Sequence, residues 1–123
     1  MRRSASSEDL QPIGAVADRF RLTLRTIRFY EQRGLIRCVR RSPHGARLMT
    51  LSNLERLEFI LMLVRCKFSL AEIKSVFDSY KGAGVPSLTA DQISAQIHHL
   101  RRHALTIEEA IEALVVLKNT PSA

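Results

Sequence analysis

From Ile93 onward the apolar side chains of this 123-residue chain fall at Ile93, Ile97, Leu100, Ala104, Ile107, Ile111 and Leu114, in alternating steps of four and three, with Lys118 next in the series. That is a heptad seam. A helix over residues 91–118 is about 42 Å long at 1.5 Å per residue. Its stripe is too narrow to be one face of a small core. The pattern therefore predicts a dimerisation helix that pairs with its copy in a second chain, and these seven residues are the expected contacts.

The chain ahead of the seam is the size of one small domain. Residues 1–11 are polar and of low complexity and read as a flexible arm. From Ile13, "IGAVADRF" places Ile13, Val16, Ala17 and Phe20 on one helical face. A second short helix begins after Thr23, whose hydroxyl can cap it, and ends near Gly34. Two short helices joined this way match a helix-turn-helix. The next segment, "LIRCVRRSPHGARLMT", holds two brief extended runs around Pro43 and Gly45 and reads as a two-stranded wing.

Three further helix starts share one grammar, Ser52-x-x-Glu55, Ser69-x-x-Glu72 and Thr89-x-x-Gln92, each able to form a capping box. The first two open support helices with apolar residues at helical spacing, among them Leu54, Leu57, Ile60 and Leu63, then Ile73, Val76 and Phe77. The third opens the dimerisation helix. The expected organisation is an arm at 1–11, a winged helix-turn-helix DNA-binding domain at 12–80, a linker at 81–89, the dimerisation helix at 90–118 and a tail at 119–123. The fold class is mainly α.

Charge points to the partner. The formal net charge is +7, and between Arg19 and Arg47 there are nine arginines and one acid, Glu31. So concentrated a basic region fits a polyanion. In "LTLRTIRFYEQRGLI" (residues 22–36), helical spacing puts Leu24, Ile27 and Glu31 on one side and Arg25, Thr26, Phe29 and Arg33 on the other, with Arg28 on the flank. Leu24 and Ile27 are expected to face the core. The outward arginines can grip phosphate or the acceptor edge of guanine, and Phe29 can pack on sugar or a thymine methyl. Arg47, in the wing, is placed to meet the DNA backbone.

"IGAVADRF", "LRTIRFYEQRGLI", "RRSPHGARL", "NLERLEFILMLVRCKFSLAEIK" and the closing seam helix follow, in that order, the pattern of the MerR family of bacterial transcription regulators, which this chain resembles from Ile13 to about Tyr80. The resemblance implies a winged helix-turn-helix followed by an antiparallel dimer helix. It implies a homodimer bound to a pseudo-palindromic promoter element, bending and untwisting the duplex for RNA polymerase. It also gives recognition-helix roles to Thr23, Arg25, Thr26, Arg28 and Tyr30 and the wing role to Arg47. Three positions depart from the family pattern. Arg21 stands where the family often has glycine, Phe29 replaces the first of paired tyrosines, and Ala46 replaces the wing tyrosine.

Other functions find little support. There is no paired-carboxylate or cysteine–histidine arrangement and no phosphate loop, so no catalytic residue and no enzyme is expected. The two cysteines, Cys38 and Cys66, are far apart, too few for an iron–sulfur centre, and read as reduced thiols, Cys66 at a semi-buried helix position. His98, His99 and His103 sit off the seam with no thiol or carboxylate completing a shell, so neither metal nor other cofactor is expected. No apolar run approaches the roughly 18 residues of a membrane span, and a cytoplasmic protein without membrane contact is expected. The competing readings are an excisionase- or nucleoid-type architectural protein that bends DNA without a regulatory effector, and a basic module for an acidic protein partner.

Overall fold

The computed structural model describes residues 10–40, 42–80 and 84–122, which fall into two compact units divided after Ser87. In the first unit, strand β1 (Gln11–Pro12) leads into helix α1 (Ile13–Phe20) and then α2 (Leu24–Gln32). Strands β2 (Val39–Arg40) and β3 (Arg47–Met49) precede helices α3 (Leu51–Arg65) and α4 (Leu70–Asp78). The second unit holds one helix, α5 (Ala90–Asn119).

The strands form an antiparallel sheet in the order β1-β3-β2, with Gln11 opposite Met49 and Val39 opposite Leu48. β2 and β3 are the two arms of the expected wing. The third strand corrects the sequence reading, which left Gln11 in the arm. Two residues with a proline carry no alternation to detect, and their strand exists only because β3 offers an unpaired edge.

One core serves the unit. Val16 and Ala17 of α1, Ile27 and Tyr30 of α2, Leu35, Ile36, Leu48 and Met49, and Leu54, Leu57, Ile60 and Leu63 of α3 are buried together with Ile73, Val76 and Phe77 of α4. Phe59 meets Phe77 edge to face at 6.0 Å, and the Arg56 guanidinium lies 4.3 Å over the Phe77 ring. Burial disfavours the charged guanidinium of Arg56 and pulls its pKa down. Its Nε donates to the Leu35 carbonyl at 2.9 Å, so α3 holds the chain where it leaves α2. Asn53 does the same one step on, accepting from the Arg37 N–H at 2.8 Å.

The starts of α2 to α5 follow the capping rule with one change of residue, whereas α1 starts after Pro12 with no side-chain cap. Thr23, Ser69 and Thr89 cap α2, α4 and α5, the last two in complete capping boxes with Glu72 and Gln92. α3 is capped by Thr50, which accepts from the Asn53 N–H, and Ser52 lies inside the first turn. The reason is β3: its last residue, Met49, is fully buried and paired, so the chain turns into the helix at the next position.

The helix ends share a device. After α1, α2 and α3 a residue takes the left-handed conformation, Arg21 at φ 58°, Gly34 at φ 77° and Lys67 at φ 69°. The following amide then bonds back into the helix: Leu22 to Ala17, Leu35 to Tyr30 and Phe68 to Leu63, at 2.8, 3.0 and 3.1 Å. Glycine occupies this conformation without strain, whereas a side chain crowds its own carbonyl. Arg21→Gly and Lys67→Gly are each expected to stabilise the unit by about 0.5–1 kcal/mol. Thermal unfolding checks this, with a midpoint raised by a few degrees in each variant and the two shifts adding.

Candidate nucleic-acid interface

The recognition helix candidate is α2. Its inner side is fixed by Ile27, 1% exposed, and Tyr30, 8% exposed. Burial pushes the Tyr30 phenol upward, so it stays protonated. Leu24 departs from the expected core position: it is 46% exposed, because the first turn of α2 extends past the edge of the core. Tyr30 takes the core place instead.

The outer side carries Arg25, Arg28 and Phe29, all exposed, and Arg33 just beyond the helix end. Phe29 is 37% exposed, with the Arg33 guanidinium 5.0 Å over its ring and the Tyr30 ring 6.0 Å away. Leu24, Arg25, Arg28, Phe29 and Gln32 line a shallow hollow of about 350 Å³ on this face. Leu24 and Gln32 are additions that sequence reading missed. Gln32 was legible, since it falls between Arg28 and Arg25 on a helical wheel, whereas Leu24 was hidden by its own hydrophobicity. At the N-terminus, the Thr23 hydroxyl accepts from the Thr26 N–H at 3.1 Å and lies 3.0 Å from the Thr26 hydroxyl.

The wing is tied to this helix by one carboxylate. Glu31, on the flank of α2, forms an ion pair with Arg47 of β3 and accepts the Cys38 N–H at 3.2 Å. Both partners of the ion pair are mostly buried, with side chains 27% and 22% exposed. Arg47 is therefore engaged inside the domain and only its rim is open at the surface. Cys38 sits half-buried beside the pair, and burial, with Glu31 adding to it, pushes its thiol up. At the wing tip, the Gly45 N–H bonds the Ser42 carbonyl at 3.0 Å, and a Cβ on Gly45 would lie 2.9 Å from the Ser42 hydroxyl. The Arg40 guanidinium donates to the Pro43 carbonyl at 3.1 Å across the same turn.

Cys66 is exposed and follows the last residue of α3, a correction to the semi-buried helix position expected from sequence. Neither cysteine forms a disulfide. His99 and His103 of α5 are exposed, with parallel rings 6.4 Å apart. Among the described residues no group of three or more histidine, cysteine or acidic side chains is placed to hold a metal ion. No helix among them is long and apolar enough to cross a membrane.

A capped helix with an arginine-rich outer face, standing beside a wing on a three-helix support, defines the class of winged helix-turn-helix DNA-binding proteins. Residues 12–80 match the MerR HTH family regulatory protein model, and residues 54–120 match the family model described as MerR, DNA binding. The chain belongs to the MerR family. It is 41% identical over 66 residues to the HTH-type transcriptional regulator ZntR homolog of Haemophilus influenzae, covering 54% of this chain and 49% of that protein. To the HTH-type transcriptional activator TipA of Streptomyces coelicolor it is 31% identical over 103 residues, covering 82% of this chain and 41% of that protein. The chain thus spans about half the length of the curated relatives it matches. Among solved structures, the N-terminal part of MtaN, the Bacillus subtilis multidrug transporter activator, shares the fold with a TM-score of 0.72 at 23% identity over 89% of this chain and 99% of that one. A MerR-family regulator from Bacillus cereus does so with a TM-score of 0.68, also at 23% identity, over 87% and 75%.

The carboxylate bridge makes a testable statement about energetics. Removing it should leave the mostly buried Arg47 guanidinium without its partner, and a double-mutant cycle over Glu31→Gln and Arg47→Met should give a coupling of about 1 kcal/mol or more in urea unfolding. A coupling near zero would mean that the wing is held by its strands alone.

Proposed function

We propose that this chain is a homodimeric, sequence-specific transcription regulator that lays α2 in the major groove of a pseudo-palindromic promoter element. The observation that carries this reading is the outer face of α2, where Arg25, Arg28 and Phe29 are exposed around a hollow while Ile27 and Tyr30 lock the helix from behind. Within the groove, Arg25 and Arg28 donate paired hydrogen bonds to base edges or flanking phosphates, and Gln32 is within the same hollow to meet an adenine edge. Phe29, backed by the Arg33 guanidinium, packs on sugar or a thymine methyl, with Leu24 beside it. Thr23 and Thr26 stand at the positive end of the helix dipole, which favours a phosphate.

In this reading the wing follows the neighbouring backbone. Arg47 positions it through Glu31 and offers phosphate only the rim of its guanidinium, so Arg40 and Arg37, both exposed, carry more of the wing's charge. Tyr30 contributes chiefly as core, holding the angle at which α2 leaves the domain. Two such domains joined by α5 grip both halves of the element, and bending or untwisting the duplex between them presents the promoter to RNA polymerase. That last step rests on family membership. The organisation proposed is a DNA-binding domain at 12–80 and a dimerisation helix at 90–118, in a cytoplasmic protein without catalytic activity.

The dimer reading is supported by α5 itself. Its 30 residues contain no buried side chain, and Ile93, Ile97, Ile107, Ile111 and Leu114 are each more than two-fifths exposed in the single chain. Such a row of apolar side chains costs hydration unless another surface covers it.

Two measurements bear on these claims. Arg28→Ala is expected to weaken binding to the selected site by about 1 kcal/mol or more while binding to random duplex changes less. Equal losses on both would make Arg28 a general phosphate contact. Ile107→Glu is expected to leave a folded monomer at low micromolar concentration by sedimentation. A dimer that persists in this variant would refute the seam.

A further inference from the structure

The seam of α5 admits several ways for two copies to pair, and its side chains discriminate among them. In a parallel pair each seam residue faces itself. Ala104 would then meet Ala104, leaving a gap in the middle of the interface, and Lys118 would meet Lys118, setting two ammonium groups together at its end. In an antiparallel pair each seam residue faces one of a different heptad position, so Ala104 can be filled by a larger neighbour. Antiparallel pairing therefore suits this sequence better.

Antiparallel pairs still differ in register by steps of a heptad. Three registers keep the seam in contact. In the first, Ala104 lies opposite the partner's Ile107, Leu100 opposite the partner's Ile111, Ile97 opposite the partner's Leu114, and Ile93 opposite the aliphatic stem of the partner's Lys118. Every seam position is covered. Sliding one heptad either way leaves one end of the seam unpaired.

The flanking charges select the same register. Arg101 and Glu108 occupy the same flanking position in successive heptads, and both are exposed along the edge of the seam. In antiparallel coils such positions pair with each other across the interface. With the full seam matched, Arg101 lies beside the partner's Glu108, and by symmetry Glu108 lies beside the partner's Arg101. Sliding one way sets Arg101 beside the partner's Arg101, and sliding the other sets Glu108 beside the partner's Glu108. Like charges so placed repel.

We propose that the second copy docks antiparallel on α5 in the register that seats Ala104 against the partner's Ile107 and closes two Arg101–Glu108 ion pairs, one on each side of the dyad. This deepens the dimer reading above and rests on it. It goes further by naming which residues decide partner choice. A relative whose helix carries the same sign at both flanking positions would close one ion pair and set one like-charge pair against it, so it is disfavoured beside a second copy of this chain and the pair is also a specificity device.

The test is charge reversal in the full chain, read by sedimentation equilibrium. Both positions are exposed, so neither change disturbs a core. Arg101→Glu and Glu108→Arg each replace two attractions by two repulsions and should weaken the homodimer about tenfold. The double variant Arg101→Glu/Glu108→Arg should recover wild-type association. A mixture of the two single variants should form the heterodimer in preference to either homodimer, because each then meets the opposite charge. A wild-type chain that sediments as a monomer overturns the dimer and the register together. A wild-type dimer whose association is indifferent to both reversals, or whose mixed variants show no preference for each other, overturns the register alone.

Discussion

The carboxylate of Glu31 holds α2 and the wing in one frame. It is the one acid between Arg19 and Arg47, and both of its oxygens are used inside the domain, one on Arg47 and one on the Cys38 amide. Two consequences follow. The wing strand β3 is fixed relative to α2, so a duplex that seats one element meets the other at a set distance. Among the described arginines of the region, Arg19 meets Glu58 of α3 at 3.7 Å, while Arg21, Arg25, Arg28, Arg33, Arg37 and Arg40 are exposed, so their field is directed outward, where a polyanion can neutralise it.

Support for that frame comes from behind. Ile27 and Tyr30 set the rotation of α2 about its axis, while Arg56 and Asn53 of α3 hold the backbone at Leu35 and Arg37 immediately after it. The helix is therefore clamped along its inner face and at its exit. An interface helix held in this way loses little freedom on binding, which leaves more of each base contact to appear as affinity.

Much of this could be read from residues near one another in the chain. The caps at Thr23, Ser69 and Thr89, the apolar faces of α1 and α4, and the outward arginines of α2 each depend on side chains within a turn or two, where helical geometry alone decides. The misreadings at Ser52, Gln11 and Leu24 share one cause, dependence on contacts distant in sequence. Thr50 caps α3 in place of Ser52 because β3 ends at a buried Met49. β1 exists through pairing with β3. Leu24 is exposed and Tyr30 buried because the core reaches α2 from its middle and end. The Glu31–Arg47 bridge spans sixteen residues, and nothing in the local pattern of either residue announces it.

In the proposed function two copies of the arginine-bearing helix, joined through α5, read two related half-sites. Selection of bound sequences from a random duplex pool at moderate salt, with motif and symmetry read together, tests it most directly. The expected result is a motif of two inverted half-sites at fixed spacing, recovered from the full chain. Absence of any enriched sequence, or enrichment of one isolated half-site, would contradict it and leave the arginine face as a general grip on polyanions.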